Sequence, residues 1–181
     1  MTPRILALDL SLARSGWCRT IDYGTPCQYG VLATAGQRGV ERLDRIVREV
    51  QTLVGKVPVD LAVLEGYSYG SQGRSVFDIG ELGGCVRLLL YRLGVPFVEV
   101  PPACLKKYAC GHGNAKKIDM VVAARERFGL QGTTDDNECD AYLLWAMAKH
   151  AYGEPIASVP AAQDAALAKV AWPELREAVV A

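Results

Sequence analysis

The sequence predicts an α/β fold: a mixed five-stranded sheet, with three antiparallel strands followed by two parallel ones, flanked by helices. Two observations lead to this prediction. Three short apolar segments bounded by turn residues open the chain, which is typical of consecutive antiparallel strands. Helical periodicity then alternates with two further apolar runs, which is the order of parallel strands joined by crossover helices.

The individual elements follow from apolar periodicity and from turn residues. The opening strands cover residues 4–11, 16–22 and 27–35, with a turn from Ala13 to Gly16. A helix, a strand, a helix and a strand follow at residues 39–56, 59–66, 75–94 and 95–102. Three more helices are predicted at residues 104–110, 115–128 and 133–153, the last one capped by Thr133 or Thr134.

The chain is predicted to contain one domain and a tail. No linker or internal repeat divides residues 1–153, and this length suits a single hydrophobic core. Residues 154–181 are rich in alanine and are interrupted by Pro155, Pro160 and Pro173. This composition is typical of a loosely attached tail with one or two short helices.

The composition narrows the class of protein. The 181 residues carry 20 basic and 20 acidic side chains, and a net charge of zero neither favours a nucleic-acid partner nor excludes a local basic face. The six cysteines form no C-x-x-C pair, which argues against structural zinc, and they lie mostly inside apolar segments, which indicates reduced core thiols in a cytoplasmic protein. No signal peptide is recognisable and no apolar run approaches the roughly 18 residues of a membrane span, so no membrane partner is expected.

Acidic side chains stand where two of the predicted strands end. Asp9 ends the first strand and Glu65 ends the fourth, so the two acids emerge at the same edge if these strands are parallel neighbours. Asp136 and Asp140 are four residues apart and share a helix face. Such a cluster would suit Mg²⁺ or Mn²⁺. The alternatives are a charged surface at a strand end and, for Asp136, ordinary capping of a first turn.

A basic segment without acids, LKKYACGHGNAKK, covers residues 105–117. Its glycines allow close approach of a ligand, and Asn114 is expected to cap the next helix, whose N-terminal amides favour anions. Its spacing differs from that of a phosphate-binding loop, so no nucleotide cofactor is expected. Contact with a DNA backbone is the favoured interpretation, and a solvated basic loop is the alternative. The four candidate contacts are Lys106, Lys107, Lys116 and Lys117.

Four segments together resemble the RuvC-type Holliday junction resolvases, especially the phage-encoded branch. They read LALDLSLARSGW, VLEGYSYGSQGRSVFDIGELGG, VPPACLKKYACGHGNAKKIDMVVAARERFG and DDNECDAYLLWAMA, and the resemblance covers about residues 4 to 150. It implies an RNase H-like fold and a homodimeric, structure-selective endonuclease. Such an enzyme would resolve four-way DNA junctions by paired nicks, with two Mg²⁺ ions per active site and Mn²⁺ as a substitute.

The resemblance also implies roles for individual residues. Asp9, Glu65 and Asp140 would be metal ligands and catalytic residues. The fourth acid of bacterial members falls on Asn137 here. We predict that Asp136 replaces it, because it shares a helix face with Asp140; Glu138 is the second choice.

Aromatic residues follow the fourth strand directly. Tyr67 and Tyr69 fall where the family places an aromatic side chain that stacks on an unpaired base at the junction. Packing of either tyrosine against the following helix is the alternative. Arg74 lies in the same segment, and we predict that it binds DNA together with the four lysines of residues 105–117. Gly83 and Gly84 lie in the helix that would form the dimer contact.

Other functions remain open at this point. The neutral Asn137 is compatible with a junction-binding or architectural protein that has lost cleavage. A nuclease of the same fold that acts on RNA, flaps or other branched DNA would carry the same acids. A small-molecule phosphotransferase ranks last, because no nucleotide-cradling motif accompanies the acids.

Overall fold

The computed structural model describes residues 3–21, 27–67 and 74–175, without the side chains of residues 74 and 75. Five strands form one sheet in the order β3-β2-β1-β4-β5, antiparallel among the first three and parallel from β1 to β4 and β4 to β5. The predicted mixed sheet is therefore confirmed. The strands are β1 (Ile5–Asp9), β2 (Arg14–Thr20), β3 (Cys27–Ala33), β4 (Leu61–Glu65) and β5 (Phe97–Val100).

The helices also follow the predicted order. They are α1 (Gly39–Lys56), α2 (Arg74–Arg92), α3 (Pro102–Cys110), α4 (Lys117–Val122), α5 (Asp136–Ala151) and α6 (Ala161–Asp164). A π-helical turn, Ala123–Arg127, continues α4, and a 3₁₀ turn, Leu167–Lys169, follows α6. In the described part of the chain, no helix is long and apolar enough to cross a membrane.

Side chains of the central strands alternate between two hydrophobic cores, one on each face of the sheet. The core against α1 and α2 takes Leu6, Leu8, Ala62 and Leu64. The core against α3, α4 and α5 takes Ile5, Ala7, Leu61 and Val63. Residues 141–149 of α5 are all buried, because this helix lies directly on the sheet and is covered by the smaller helices. The rigid centre of the molecule is thus β1, β4 and α5.

Three local predictions are wrong. β2 begins at Arg14, where a turn was predicted, because Gly16 pairs with Asp9 in the sheet. The N-cap of α5 is Asp135, not a threonine, because its carboxylate accepts hydrogen bonds from the backbone amides of Asn137 and Glu138. Asn114 contacts His112 at 3.0 Å and does not cap α4.

The described part of the tail packs on the core, in contrast to the loose attachment expected from its composition. Ala166 is fully buried, and the ring of Trp172 meets that of Tyr152 edge-on at 6.1 Å. The Tyr152 hydroxyl donates to the Pro173 carbonyl at 2.7 Å. These apolar contacts hold the segment although it is proline-rich. The domain boundary at residue 153 stays a prediction.

Candidate active site

The register of the sheet places two acids side by side. Leu8 of β1 pairs with Leu64 of β4, so Asp9 and Glu65, the next residue on each strand, emerge together at the carboxyl edge. A cleft of about 400 Å³ opens there. We refer to it as the cleft. Its charged and polar lining includes Asp9, Glu65, Asn137, Asp140, Lys106 and Lys117.

The Asp9 and Glu65 carboxyls are half-buried and hydrogen-bonded to each other. Burial, the charge of Asp9 and the hydrogen bond to Asp9 raise the pKa of Glu65 to about 9. Burial also raises the pKa of Asp9, although the bond from Glu65 opposes the shift. The pair therefore shares a proton at neutral pH, with Glu65 as the donor.

Asp140 reaches the same cleft from α5. Burial and the charges of Asp9 and Asp136 raise its pKa to about 7. Its Oδ1 atom is buried and has no hydrogen-bond partner among the described residues. A buried carboxylate oxygen without a partner is costly, and a cation is the group that would satisfy it.

The chemistry of these three side chains fits a hard divalent cation. All are carboxyl groups, which Mg²⁺ and Mn²⁺ prefer; burial is the main cause of their raised pKa values, and neighbouring negative charge adds to it. Within residues 3–21, 27–67 and 74–175, however, no three His, Cys, Asp or Glu side chains are arranged as a ready-made metal site. Loss of the shared proton and rotation of side chains would have to accompany metal binding.

The first turn of α5 is held against the sheet by a contact that sequence reasoning missed. A Cβ atom added at Gly16 would lie 1.9 Å from the backbone oxygen of Asn137. Only glycine lets α5 approach this closely, and Gly16 is the residue paired with Asp9. A glycine inside a strand is the signal that could have indicated it. Arg14 forms an ion pair with Asp135, the cap of the same helix.

The candidates for the fourth acid lie in different surroundings in the structure. Among the described residues of α5, Asn137 and Asp140 line the cleft, whereas Asp136 forms an ion pair with Lys117. The Asn137 amide donates to Asp135 at 3.2 Å. The charge of Asp136 nevertheless raises the pKa of Asp9 and Asp140, so it lies near both. Its role as a ligand stays a prediction.

Two of the four predicted lysines, Lys106 and Lys117, line the cleft. Lys107 is half-buried on α3, and Lys116 is exposed at the start of α4. The backbone amide of Lys116 donates to the Asp119 carboxylate at 2.8 Å. This amide is therefore already hydrogen-bonded and is not free to bind a phosphate.

Tyr67 packs against the following helix, as the alternative interpretation proposed. A Cβ added at Gly83 would lie 1.8 Å from the Tyr67 hydroxyl oxygen, so Gly83 makes room for this ring. The hydroxyl donates to the Gly80 carbonyl at 3.4 Å. Tyr69 lies outside the described residues, as does the side chain of Arg74, and their roles stay predictions.

Sequence reasoning also missed two charged residues of the cleft, Arg87 and Glu99. They form an ion pair at 2.6 Å, and the Arg87 guanidinium lies 5.4 Å from the centre of the Tyr67 ring. The two residues come from α2 and β5 and are 12 positions apart in sequence. No local pattern indicates such a pair.

Comparison with known proteins finds a matching family. The family model described as crossover junction endodeoxyribonuclease RuvC matches residues 5–145. The protein of that name from Synechococcus sp. (strain WH7803) is 30% identical over 132 residues, which cover 71% of this chain and 85% of the relative. The one from Chloroflexus aggregans is 26% identical over 161 residues, which cover 84% of this chain and 94% of the relative.

Solved structures share the fold. Thermus thermophilus RuvC superposes with a TM-score of 0.67 at 20% identity, covering 87% of this chain and 99% of that one. The same protein in complex with a Holliday junction substrate gives a TM-score of 0.69 at 21% identity, with the same coverage. The yeast mitochondrial Holliday junction resolvase Ydc2 superposes with a TM-score of 0.53 at 14% identity, and the match covers 93% of this chain and 81% of that one. The RNase H-like fold expected from the resemblance is thereby confirmed.

Proposed function

This chain belongs to the RuvC family of crossover junction endodeoxyribonucleases, and from that premise we propose that its cleft is where four-way DNA junctions are cut. The activity is hydrolysis of phosphodiester bonds, which resolves the junction into two duplexes. One observation supports the location above all. Acids from β1, β4 and α5 converge on a single cleft whose lining also carries two lysines.

We assign the metal ligands to Asp9, Glu65 and Asp140, with Asp136 as the fourth. When bound, Mg²⁺ supplies Lewis acidity that polarises the scissile phosphate and lowers the pKa of the attacking water. The unpartnered Oδ1 of Asp140 supports this assignment. Asp136 can join only if Lys117 releases it, because the two side chains form an ion pair. Mn²⁺, which prefers similar oxygen ligands, would substitute.

The protein's own residues perform the remaining work. Lys106 and Lys117 place cationic groups beside the acids and would hold the phosphate backbone there. The hydrogen bond with Asp136 raises the pKa of Lys117 in this structure, and once Asp136 is released the lysine stays charged because its ordinary pKa lies well above neutral pH. Glu65 gives up the proton that it shares with Asp9, so both carboxylates become ligands. Lys107, Lys116, Tyr69 and Arg74 remain proposed contacts further along the DNA.

A homodimer would place two such clefts on one junction. Phe77, Leu88 and Tyr91 of α2 are 75%, 47% and 77% exposed, although they are large apolar side chains. Gly84 follows Phe77 by seven residues, Leu88 follows Gly84 by four, and Tyr91 follows Leu88 by three. At this spacing the four residues share one helix face. Within the described part of the chain, a Cβ added at Gly84 would meet nothing within 4 Å beyond its own stretch of helix, so the described residues leave this face open. Pairing of two copies here would give the two-fold symmetry that paired nicks require.

Asn137 supports a second candidate function. It is a neutral side chain at the edge of the cleft, where bacterial family members would carry an acid. A protein with an incomplete metal site would bind junctions without cutting them. The two candidates predict the same DNA binding and differ only in metal-dependent cleavage.

The test is cleavage of a labelled four-way junction, beside a duplex of matched sequence, in Mg²⁺ and in EDTA. We expect symmetric nicks in the junction alone, and only with the metal. Tight junction binding without cleavage in Mg²⁺ or Mn²⁺ would instead favour the second candidate. Cleavage that persists in EDTA would contradict the metal assignment.

A further inference from the structure

The helix α2 presents a cation to the cleft that neither the sequence motifs nor the family match assigns. Val76, Ile79, Gly83 and Arg87 line the cleft from this helix, and their spacing places them on one face. We propose that Arg87 binds a backbone phosphate of the DNA strand in the cleft. This inference rests on the proposed function and adds a contact to it.

The position of Arg87 relative to the lysines supports the proposal. The buried residues of α2 pack in the core on one face of the sheet, and those of α3 and α4 pack in the core on the other. Arg87 therefore approaches the cleft from one layer, whereas Lys106 and Lys117 approach from the other. The strand-end acids lie between them. A DNA strand placed over these acids would meet cationic groups on both sides.

Arg87 is also held in a defined orientation. Its Nη1 donates to Glu99 at 2.6 Å, and its guanidinium lies over the Tyr67 ring at 5.4 Å from the centroid. Tyr67 is itself fixed against α2 at Gly83. A guanidinium has five N–H donors, so the bond to Glu99 leaves others for a phosphate. With 30% of its side chain exposed, Arg87 remains accessible from the cleft.

This arrangement gives Tyr67 a different use from the base stacking that the resemblance implied. The ring supports Arg87 and does not itself have to contact DNA. Glu99 has two opposing effects, because it orients Arg87 but also adds a negative charge to the cleft. Replacing Glu99 with a neutral residue that still accepts a hydrogen bond should therefore strengthen DNA binding, whereas removing Arg87 should weaken it.

The experiment measures junction binding by fluorescence anisotropy across a salt series, in Ca²⁺ or EDTA to prevent cleavage. We expect Arg87→Ala to weaken binding about tenfold at low salt and to reduce the slope of log K against log salt by about one. Arg87→Lys should keep most of the slope. Glu99→Gln should bind more tightly than the unmodified protein, and the same substitution should gain less in the Arg87→Ala background, because no guanidinium is then released.

Arg48→Ala is the matched control, because Arg48 pairs with Asp44 on α1 and is 75% exposed outside the cleft lining. Its binding should stay within twofold of the unmodified protein. If Arg87→Ala and Glu99→Gln lower the melting temperature equally but leave the salt slope unchanged, the pair only joins α2 to β5 and the proposal is wrong. Failure of the unmodified protein to bind junctions would instead contradict the proposed function.

Discussion

The strand-borne and helix-borne groups of the cleft reach it by different physical means. Asp9 and Glu65 are placed by backbone pairing, because Leu8 and Leu64 are register partners in a buried parallel ladder. The first turn of α5 is placed by a few side-chain and close-packing contacts: the Asp135 cap, the Lys117–Asp136 ion pair and the approach to Gly16.

The strand ends of the cleft are therefore harder to displace than the start of α5. A register shift would turn every side chain of a strand to the other face, so the positions of Asp9 and Glu65 are strongly fixed. The helix start depends on contacts that single substitutions remove. We therefore expect substitutions at the strand ends to remove metal ligands without moving the backbone, and those around α5 to change the geometry of the site as well.

The largest effect is expected from the strand-end acids. Asp9→Asn or Glu65→Gln should lower junction cleavage at least about a hundredfold, because each removes a ligand of a metal that contributes several kcal/mol to the transition state. Junction binding should stay within twofold, since the fold is kept. Asp44→Asn, an acid on the exposed side of α1, is the control and should cleave normally. Full cleavage by either strand-end variant would exclude that residue as a ligand.

Gly16→Ala tests the seating of α5. The added Cβ would lie 1.9 Å from the Asn137 backbone oxygen, so the helix start must move. We expect the free energy of unfolding to fall by about 3 kcal/mol, measured by denaturant titration, with a parallel loss of cleavage. Gly55→Ala on α1 is the control. A Cβ added there has no described neighbour within 4 Å, so the free energy of unfolding should stay the same or rise. Equal effects of the two variants would contradict the claim that the Gly16 contact positions the site.

Asp136 and Asn137 compete for the fourth position, and two variants separate them. If Asp136 is the ligand, Asp136→Asn should lower cleavage about tenfold, and Asn137→Ala should change it less than threefold. Cleavage rates at saturating and limiting Mg²⁺ give both metal affinity and turnover. The reverse order of effects would assign the role to Asn137, which already lines the cleft.

The pH dependence of stability should be the smallest and most specific effect. The pKa of Glu65 is raised to about 9 and that of Asp140 to about 7, so the folded state binds more protons than the unfolded state between about pH 4.5 and 9. In EDTA the melting temperature should therefore fall as pH rises through this window. Glu65→Gln should flatten the profile above pH 7. A profile that the variant leaves unchanged would mean that Glu65 is not protonated in the folded protein.

The sequence predicted the strand half of the site better than the helix half, for a physical reason. Apolar runs that end in an acid indicate where a strand ends, and Asp9 and Glu65 could be expected at one edge on the condition that their strands are parallel neighbours. The Gly16 approach and the Arg87–Glu99 pair each join residues that are distant in sequence. Tertiary packing decides such contacts, and periodicity carries no signal for them.

The most direct measurement is calorimetric titration of Mn²⁺ into the protein at pH 7, in two buffers with different ionisation enthalpies. We expect binding to release about one proton or more per site, because Glu65 and Asp140 must lose theirs to become ligands. Asp140→Asn should abolish binding, and Glu65→Gln should remove part of the proton release. Binding without proton release, or binding that is unchanged in both variants, would contradict the assignment of the cleft as the metal site.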